Sequence, residues 1–181
     1  MGIALAISRF YVPETVKSAS LRRLFTATAD AFGCPAPDVN GLTYEQCLQE
    51  YALFTKNNAE KIIRQGTVKR VKAELYDSAE LIGQRLKQQL KLKTFTDFSL
   101  ACEITYKAIA IECRVGPGGD VRIPRCYFSP FYTGEVCQLI SSLDEGLIAG
   151  LSGGMKLEFS ERITEGSECC KAFITQTGSA G

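Results

Sequence analysis

The sequence predicts an α+β protein in which N-terminal helices precede a strand-strand-helix-strand-strand unit with an antiparallel sheet. Apolar residues recur at helical spacing through the first half of the chain. In the second half, two segments of alternating apolar and polar residues flank a glycine-rich turn, and two more follow an apolar helix. The length of 181 residues fits one domain. We therefore expect a helical segment, 1–96, and a cysteine-rich α+β unit, 97–181, to form one integrated domain.

Three helices are predicted in the first segment, over residues 16–33, 43–66 and 67–92. The first ends before Cys34-Pro35, because proline disfavours a helical conformation in the residue that precedes it. The second begins with a capping box formed by Thr43 and Gln46 and ends at a glycine, Gly66. The third carries a narrow apolar stripe. Such a stripe also suits packing against a second copy of the chain, so a homodimer is predicted.

The second segment is predicted to hold a short helix over residues 97–107, four strands and one longer helix. The strands are expected at residues 109–115, 121–127, 155–160 and 169–175. A glycine-rich turn at 116–120 joins the first two strands as a hairpin. Because Pro124 cannot donate to a strand ladder, it places the second strand at a sheet edge or marks a bulge. One continuous helix is expected over residues 136–151.

Eight cysteines and no histidine limit the chemistry that the chain can perform. Catalytic Ser-His-Asp and Cys-His pairs are excluded, and so are imidazole metal ligands. Any general acid or base must be a carboxyl group, Lys, Tyr or Cys. The cysteines are placed unevenly, with two in the first segment and six in the second. The second segment is therefore where thiol chemistry is expected.

Charge and hydropathy limit the class of partner. The net charge of +1 argues against a dedicated nucleic-acid-binding protein. The ten basic and four acidic side chains of residues 56–93 are interpreted as the solvated side of a helix pair, since no aromatic residues interleave with them. No basic residue precedes the first apolar run, and no apolar stretch is long enough to span a membrane. The sequence predicts a cytoplasmic protein with reduced thiols, bound neither to nucleic acid nor to a membrane.

Four cysteines are candidate metal ligands. Cys126 follows Arg125, and Cys137 lies near a helix N-terminus; both surroundings favour the thiolate. Cys169 and Cys170 are adjacent in a strand and face opposite sides, so one at most can join a given cluster. Thiolates on separate elements can bind zinc or an iron–sulfur cluster. The alternative is that these cysteines are small buried residues.

Two segments of the second part resemble a known family. The sequence R-C-Y-F at 125–128 precedes a helix that bears Cys137, and R-I-T-E-G-S-E-C-C-K-A-F-I follows at 162–174. Together they resemble the C-terminal half of the L-2-amino-thiazoline-4-carboxylic acid hydrolase family and, more remotely, the 4-vinyl reductase domain, a small-molecule-binding relative. The resemblance covers about residues 98–176, and Tyr127 stands where the family has a proline. The matching cysteines are Cys126, Cys137 and either Cys169 or Cys170.

The resemblance implies a cysteine-dependent hydrolase that opens a small cyclic amidine, or alternatively a non-catalytic sensor or carrier that binds a small molecule or a metal. In the enzyme, a thiolate-bound zinc ion activates water, or Cys126 attacks directly while Glu112 or Asp144 handles the proton. Zinc or an iron–sulfur cluster is the expected cofactor, if the protein holds one. Contacts to a small-molecule ligand are expected from Arg125, Tyr127 and Tyr132.

Overall fold

In the part of the chain that the structure describes, helices form the first half and the strands lie in the second. The computed structural model describes residues 11–176. The helices are α1 (Glu14–Phe32), α2 (Tyr44–Gln65), α3 (Val68–Leu90), α4 (Phe95–Lys107), α5 (Gly134–Ile140) and α6 (Ser142–Ser152). The strands are β1 (Ile111–Val115), β2 (Asp120–Cys126), β3 (Lys156–Glu161) and β4 (Cys170–Thr175), with a short 3₁₀ helix, Ile163–Glu165, before β4. The predicted α+β class is confirmed.

Capping signals in the sequence set several helix boundaries. The Gln46 amide donates to the Thr43 hydroxyl, and the Thr43 amide donates to the Gln46 side chain, so the predicted capping box is confirmed. Thr94 and Asp97 form a second box at the start of α4. Gly66 ends α2 with a φ of 70°, a left-handed conformation that glycine adopts without strain.

The strands form one antiparallel sheet in the order β1-β2-β4-β3. The hairpins β1-β2 and β3-β4 therefore join through β2 and β4. The edge position considered for Pro124 is wrong, since β2 is a central strand. The bulge is confirmed, because Glu112 pairs with Arg125 but Arg114 pairs with Arg122, which shifts the ladder by one residue beside Pro124.

The prediction of one continuous helix over residues 136–151 is wrong, because the segment forms two helices, α5 and α6. Ser141 separates them with φ −67° and ψ −5°. Its hydroxyl donates to the Gln138 carbonyl at 3.4 Å, a side-chain bond that competes with the helical ladder. The break creates a new helix start, and it puts Asp144 in the first turn of α6.

Glycines bring α3 and α6 into backbone contact. A Cβ atom on Gly146 would lie 2.1 Å from the carbonyl oxygen of Tyr76, and one on Gly150 would lie 2.1 Å from that of Glu80. A Cβ atom on Gly83 of α3 would lie 2.5 Å from the carbonyl oxygen of Leu147 in α6. Part of the α3 stripe is therefore buried within the chain. The homodimer suggested by that stripe stays a prediction.

The hydrophobic core is continuous across the two predicted segments. One buried cluster combines Leu21 and Tyr51 of the helices with Val121 and Ala172 of the sheet. Alternate strand residues face the helices, and the opposite sheet face is open, where Phe173 is 54% exposed. Among residues 11–176, no helix has the length and apolar character needed to cross a membrane.

Candidate functional site

A cavity of about 510 Å³ lies between the helices and one end of the sheet. Its wall combines residues of α1, α3 and α4 with residues of α5, α6 and the strand ends. The exposed wall residues lie on two helices: Thr15, Val16, Ala19 and Arg23 on α1, and Leu90 at the end of α3. We identify the opening between α1 and α3 as the mouth.

The middle of the cavity is apolar. It is lined by Leu24, Ile82, Leu86, Ile104, Ile109 and Leu147. The volume falls within the range of about 300–1,000 Å³ found for small-molecule sites. Apolar walls with a few polar groups are also typical of such sites, so the polar groups at the inner end decide which ligands fit.

The inner end of the cavity holds one carboxyl group, that of Asp144. The side chain is partly accessible, and it lines the cavity wall. Its separation from bulk water raises the pKa of Asp144 to about 6, although a hydrogen bond from Tyr106 and the charge of Arg162 both oppose the rise. The carboxyl group is therefore mostly ionised at pH 7 and takes up a proton just below neutrality.

Two buried hydroxyl groups on the same wall have no hydrogen-bond partner within residues 11–176. They belong to Tyr51 and Thr164. Tyr51 is only 3% exposed, and the hydroxyl of nearby Thr28 donates to carbonyl groups of its own helix. Thr164 lies near the Cys137 thiol, which is a weak partner. Buried polar groups are rarely left unpaired in proteins, so these two hydroxyls are available to a ligand.

Three thiols complete the inner end. Cys126, Cys137 and Cys170 line the cavity. Burial raises the pKa of Cys126 to about 12 and also raises the pKa values of Cys137 and Cys170. The Arg162 guanidinium lies 3.9 Å from the Cys137 sulfur and opposes the rise there. All three groups are therefore protonated thiols at neutral pH.

The candidate metal ligands do not meet at one point. Cys169 lies outside the cavity, 3.9 Å from the exposed side chain of Arg122, whereas Cys126, Cys137 and Cys170 line the wall. Within the described part of the chain, no three Cys, Asp or Glu side chains are close enough together to hold a metal ion. Within residues 11–176 the candidate cysteines therefore form no metal cluster, and a zinc ion or an iron–sulfur cluster stays a prediction.

The other predicted site residues divide between the cavity and the surface. Asp144 and Tyr132 line the cavity, and the Tyr132 hydroxyl is hydrogen-bonded to Thr55. Glu112 instead lies in an exposed ion pair with Arg114 at 2.6 Å.

Two predicted ligand contacts also lie outside the cavity wall. The side chain of Arg125 is 86% exposed, and Tyr127 stacks on Phe131. The structure therefore does not bring Glu112 or Arg125 to the inner end, because period-two alternation points both side chains away from the helices.

Sequence reasoning missed Tyr51, Tyr106 and Thr164. The position of Tyr51 in the sequence does not distinguish a core residue from a site residue, because a buried helical stripe and a cavity wall give the same spacing. The residue type does give a signal: a tyrosine instead of a phenylalanine at a buried position indicates a polar partner, because a buried phenol requires one. No comparable signal marks Thr164, which lies in the short 3₁₀ helix Ile163–Glu165.

Comparison with known proteins does not add a family to this description. No protein-family model matches the chain, and no curated protein matches it. The resemblance to the hydrolase family and to the 4-vinyl reductase domain therefore stays a prediction. The function must be argued from the geometry of the cavity.

Proposed function

We propose that the protein is a small-molecule-binding module whose ligand has an apolar body and a polar head. The supporting observation is the cavity of about 510 Å³, which has an apolar middle and a cluster of polar groups at its inner end. The body lies between α1, α3 and α4, and the head reaches Asp144. This is the non-catalytic alternative that the sequence raised.

The inner end is better suited to receive a polar group than to be packed as core. A buried hydroxyl without a partner costs about 1–3 kcal/mol, and Tyr51 and Thr164 each supply one. Removing a carboxylate from water costs more free energy than burying a hydroxyl, unless the charge is paired. Within residues 11–176, Asp144 forms no ion pair. A ligand head that bonds to these groups removes those costs.

Binding is also favoured over nucleophilic catalysis by Cys126. A thiol with a pKa of about 12 is far from the thiolate form that attacks substrates. Transfer of its proton to Asp144, with a pKa of about 6, is uphill by roughly 8 kcal/mol at 1.36 kcal/mol for each pKa unit. We therefore assign Cys126 to the wall of the cavity and not to nucleophilic attack on a substrate.

The mouth offers a direct test of binding. An uncharged apolar dye such as N-phenylnaphthylamine should bind saturably, with one dye molecule for each chain. Ala19→Phe fills the mouth at an exposed position of α1, and we expect it to weaken dye binding about tenfold. Ala73→Phe, at an exposed position of α3 outside the cavity wall, is the matched control and should leave dye affinity unchanged. Equal affinity in the two variants would contradict binding in the cavity.

A second candidate function is hydrolysis of a small cyclic amidine, with Asp144 as general base on water. The observation that favours it is a carboxyl group with a pKa of about 6 in a ligand cavity, close to the value that suits a base at neutral pH. Turnover of aminothiazoline carboxylate should then be abolished by Asp144→Asn and retained by Cys126→Ser. If Cys126→Ser abolishes turnover, direct attack by the thiol is correct instead.

A further inference from the structure

We infer that the polar head of the ligand is an ammonium group, so that the cavity selects amphiphiles with a cationic end over neutral or anionic ones. The inference rests on the proposed binding function, because it assigns a ligand class to the same cavity. It is carried by Asp144, by the charges around that side chain and by the acceptor groups beside it.

Within residues 11–176, the Asp144 carboxylate has no salt-bridge partner. A carboxylate offers about four acceptor positions, and within residues 11–176 the hydroxyl of Tyr106 is the hydrogen-bond donor found for Asp144. Buried charges in proteins are normally paired. The missing positive charge is therefore the group that a ligand can supply.

The charged neighbours of Asp144 do not replace that cation. Arg162 follows β3 and acts on Asp144 from a distance, but its guanidinium stacks 4.1 Å from the centre of the Phe159 ring and pairs with Glu165 at 3.9 Å. Glu145, next to Asp144 on α6, adds a second negative charge. The electrostatic field at this end of the cavity therefore favours a positive group over a negative one.

The remaining titratable groups that face Asp144 are neutral near pH 7. Tyr51 on α2 and Tyr106 on α4 are phenols with raised pKa values. The thiols of β1, β2, α5 and β4 also have raised pKa values, because each is buried; they are Cys113, Cys126, Cys137 and Cys170. Between pH 5 and pH 8, Asp144 is therefore the group at the inner end whose charge changes most.

The acceptors at the inner end match a primary ammonium. Such a group has three N–H donors and no acceptor. The Asp144 carboxylate and the unpartnered hydroxyl oxygens of Tyr51 and Thr164 supply acceptors on the same wall. An anionic head would instead place its charge against Asp144, and an alcohol head would leave the carboxylate without a counter-charge. The geometry therefore favours the cation.

Three probes with the same alkyl chain and different heads test this selectivity. Decylamine, decanol and decanoate are each titrated against the bound apolar dye, near pH 8, where Asp144 is ionised. We expect decylamine to displace the dye with an affinity roughly 10- to 100-fold above that of decanol, with decanoate the weakest. At pH 5 the amine should lose roughly tenfold, since Asp144 is then mostly protonated, while decanol should be unchanged.

Two variants separate the role of Asp144 from that of general charge. Asp144→Asn should bring the amine and the alcohol to similar affinities at both pH values. Glu145→Gln removes a neighbouring charge that is not on the cavity wall, and it should retain most of the preference for the amine. If the dye binds but decanol or decanoate competes as well as decylamine, the ammonium assignment is wrong and binding in the cavity stands. If the dye does not bind at all, both are wrong.

Discussion

Replacing Asp144 by asparagine should stabilise the ligand-free protein above pH 6. The pKa of this carboxyl group is raised from 3.8 to about 6 in the fold, so the folded state binds the proton more tightly than the unfolded state. The favourable contribution is complete below pH 3.8 and is lost as the pH rises through 6. The ionised group then lowers the free energy of unfolding by about 3 kcal/mol, at 1.36 kcal/mol for each pKa unit.

The asparagine amide keeps an acceptor for the Tyr106 hydroxyl but buries an NH₂ group in place of an oxygen. This costs about 1 kcal/mol at every pH. Near pH 8 we therefore expect Asp144→Asn to gain about 2 kcal/mol, which corresponds to a rise in Tm of roughly 4–8 °C for a chain of this size. Near pH 4 the sign should reverse, because the cost of the amide then exceeds the small remaining gain.

Urea unfolding of both proteins between pH 4 and pH 8 measures the difference directly. The change in that difference between pH 4 and pH 8 should be about 2–3 kcal/mol, less than the full contribution, because the unfolded-state carboxyl group is already partly ionised at pH 4. It does not depend on the cost of the amide, since that cost is the same at every pH. Asp77→Asn, which removes a carboxyl group from an exposed position of α3, is the matched control. Parallel curves for the wild type and Asp144→Asn would refute the assignment of a raised pKa to Asp144.

Two further predictions concern packing and thiols. Gly150→Ala should lower the free energy of unfolding, measured in urea, by about 1–3 kcal/mol, because the added Cβ would lie 2.1 Å from the backbone of α3. Gly134→Ala is the control and should lower it less, since the nearest neighbour of its Cβ is a flexible glutamate side chain at 3.2 Å. Equal losses would show that the contact between α3 and α6 is not tight. With Ellman's reagent near pH 8, Cys169 should react first and Cys126 slowly, since burial keeps Cys126 as a thiol. Mass spectrometry of the labelled peptides gives the order, and early labelling of Cys126 would contradict it.

Local signals in the sequence were sufficient to predict most elements of the fold. The Thr43–Gln46 capping box and the glycine at position 66 gave the ends of α2 correctly, because capping depends on residues close in the chain. The proline at position 124 indicated the bulge in β2, for the same reason. The central place of β2 was not predicted, since the pairing of β2 with β4 depends on contacts between segments far apart in sequence.

The site was harder to predict because it is assembled from several elements. Cys126 and Cys137 were candidates because of their neighbours in the sequence, and both line the cavity. Their predicted chemistry assumed thiolates, whereas burial in the assembled fold keeps the thiols protonated. Arg125 is next to Cys126 in the strand, so its side chain points to the opposite face of the sheet, which is open to solvent. Adjacency along a strand therefore did not indicate adjacency in the site.

Asp144 links the stability of the fold to the proposed binding. Its position is fixed from both sides, since the glycine contact holds α6 against α3 and Tyr106 of α4 donates to the carboxylate. A carboxylate held in place in this way cannot turn towards bulk water when it ionises, so its cost persists in the ligand-free protein. A cationic ligand cancels that cost, and linkage then requires that it lowers the pKa of Asp144 and raises the free energy of unfolding. A large part of the roughly 3 kcal/mol that appears as pH-dependent instability without the ligand should therefore reappear as the roughly 10- to 100-fold preference for the ammonium head when it binds.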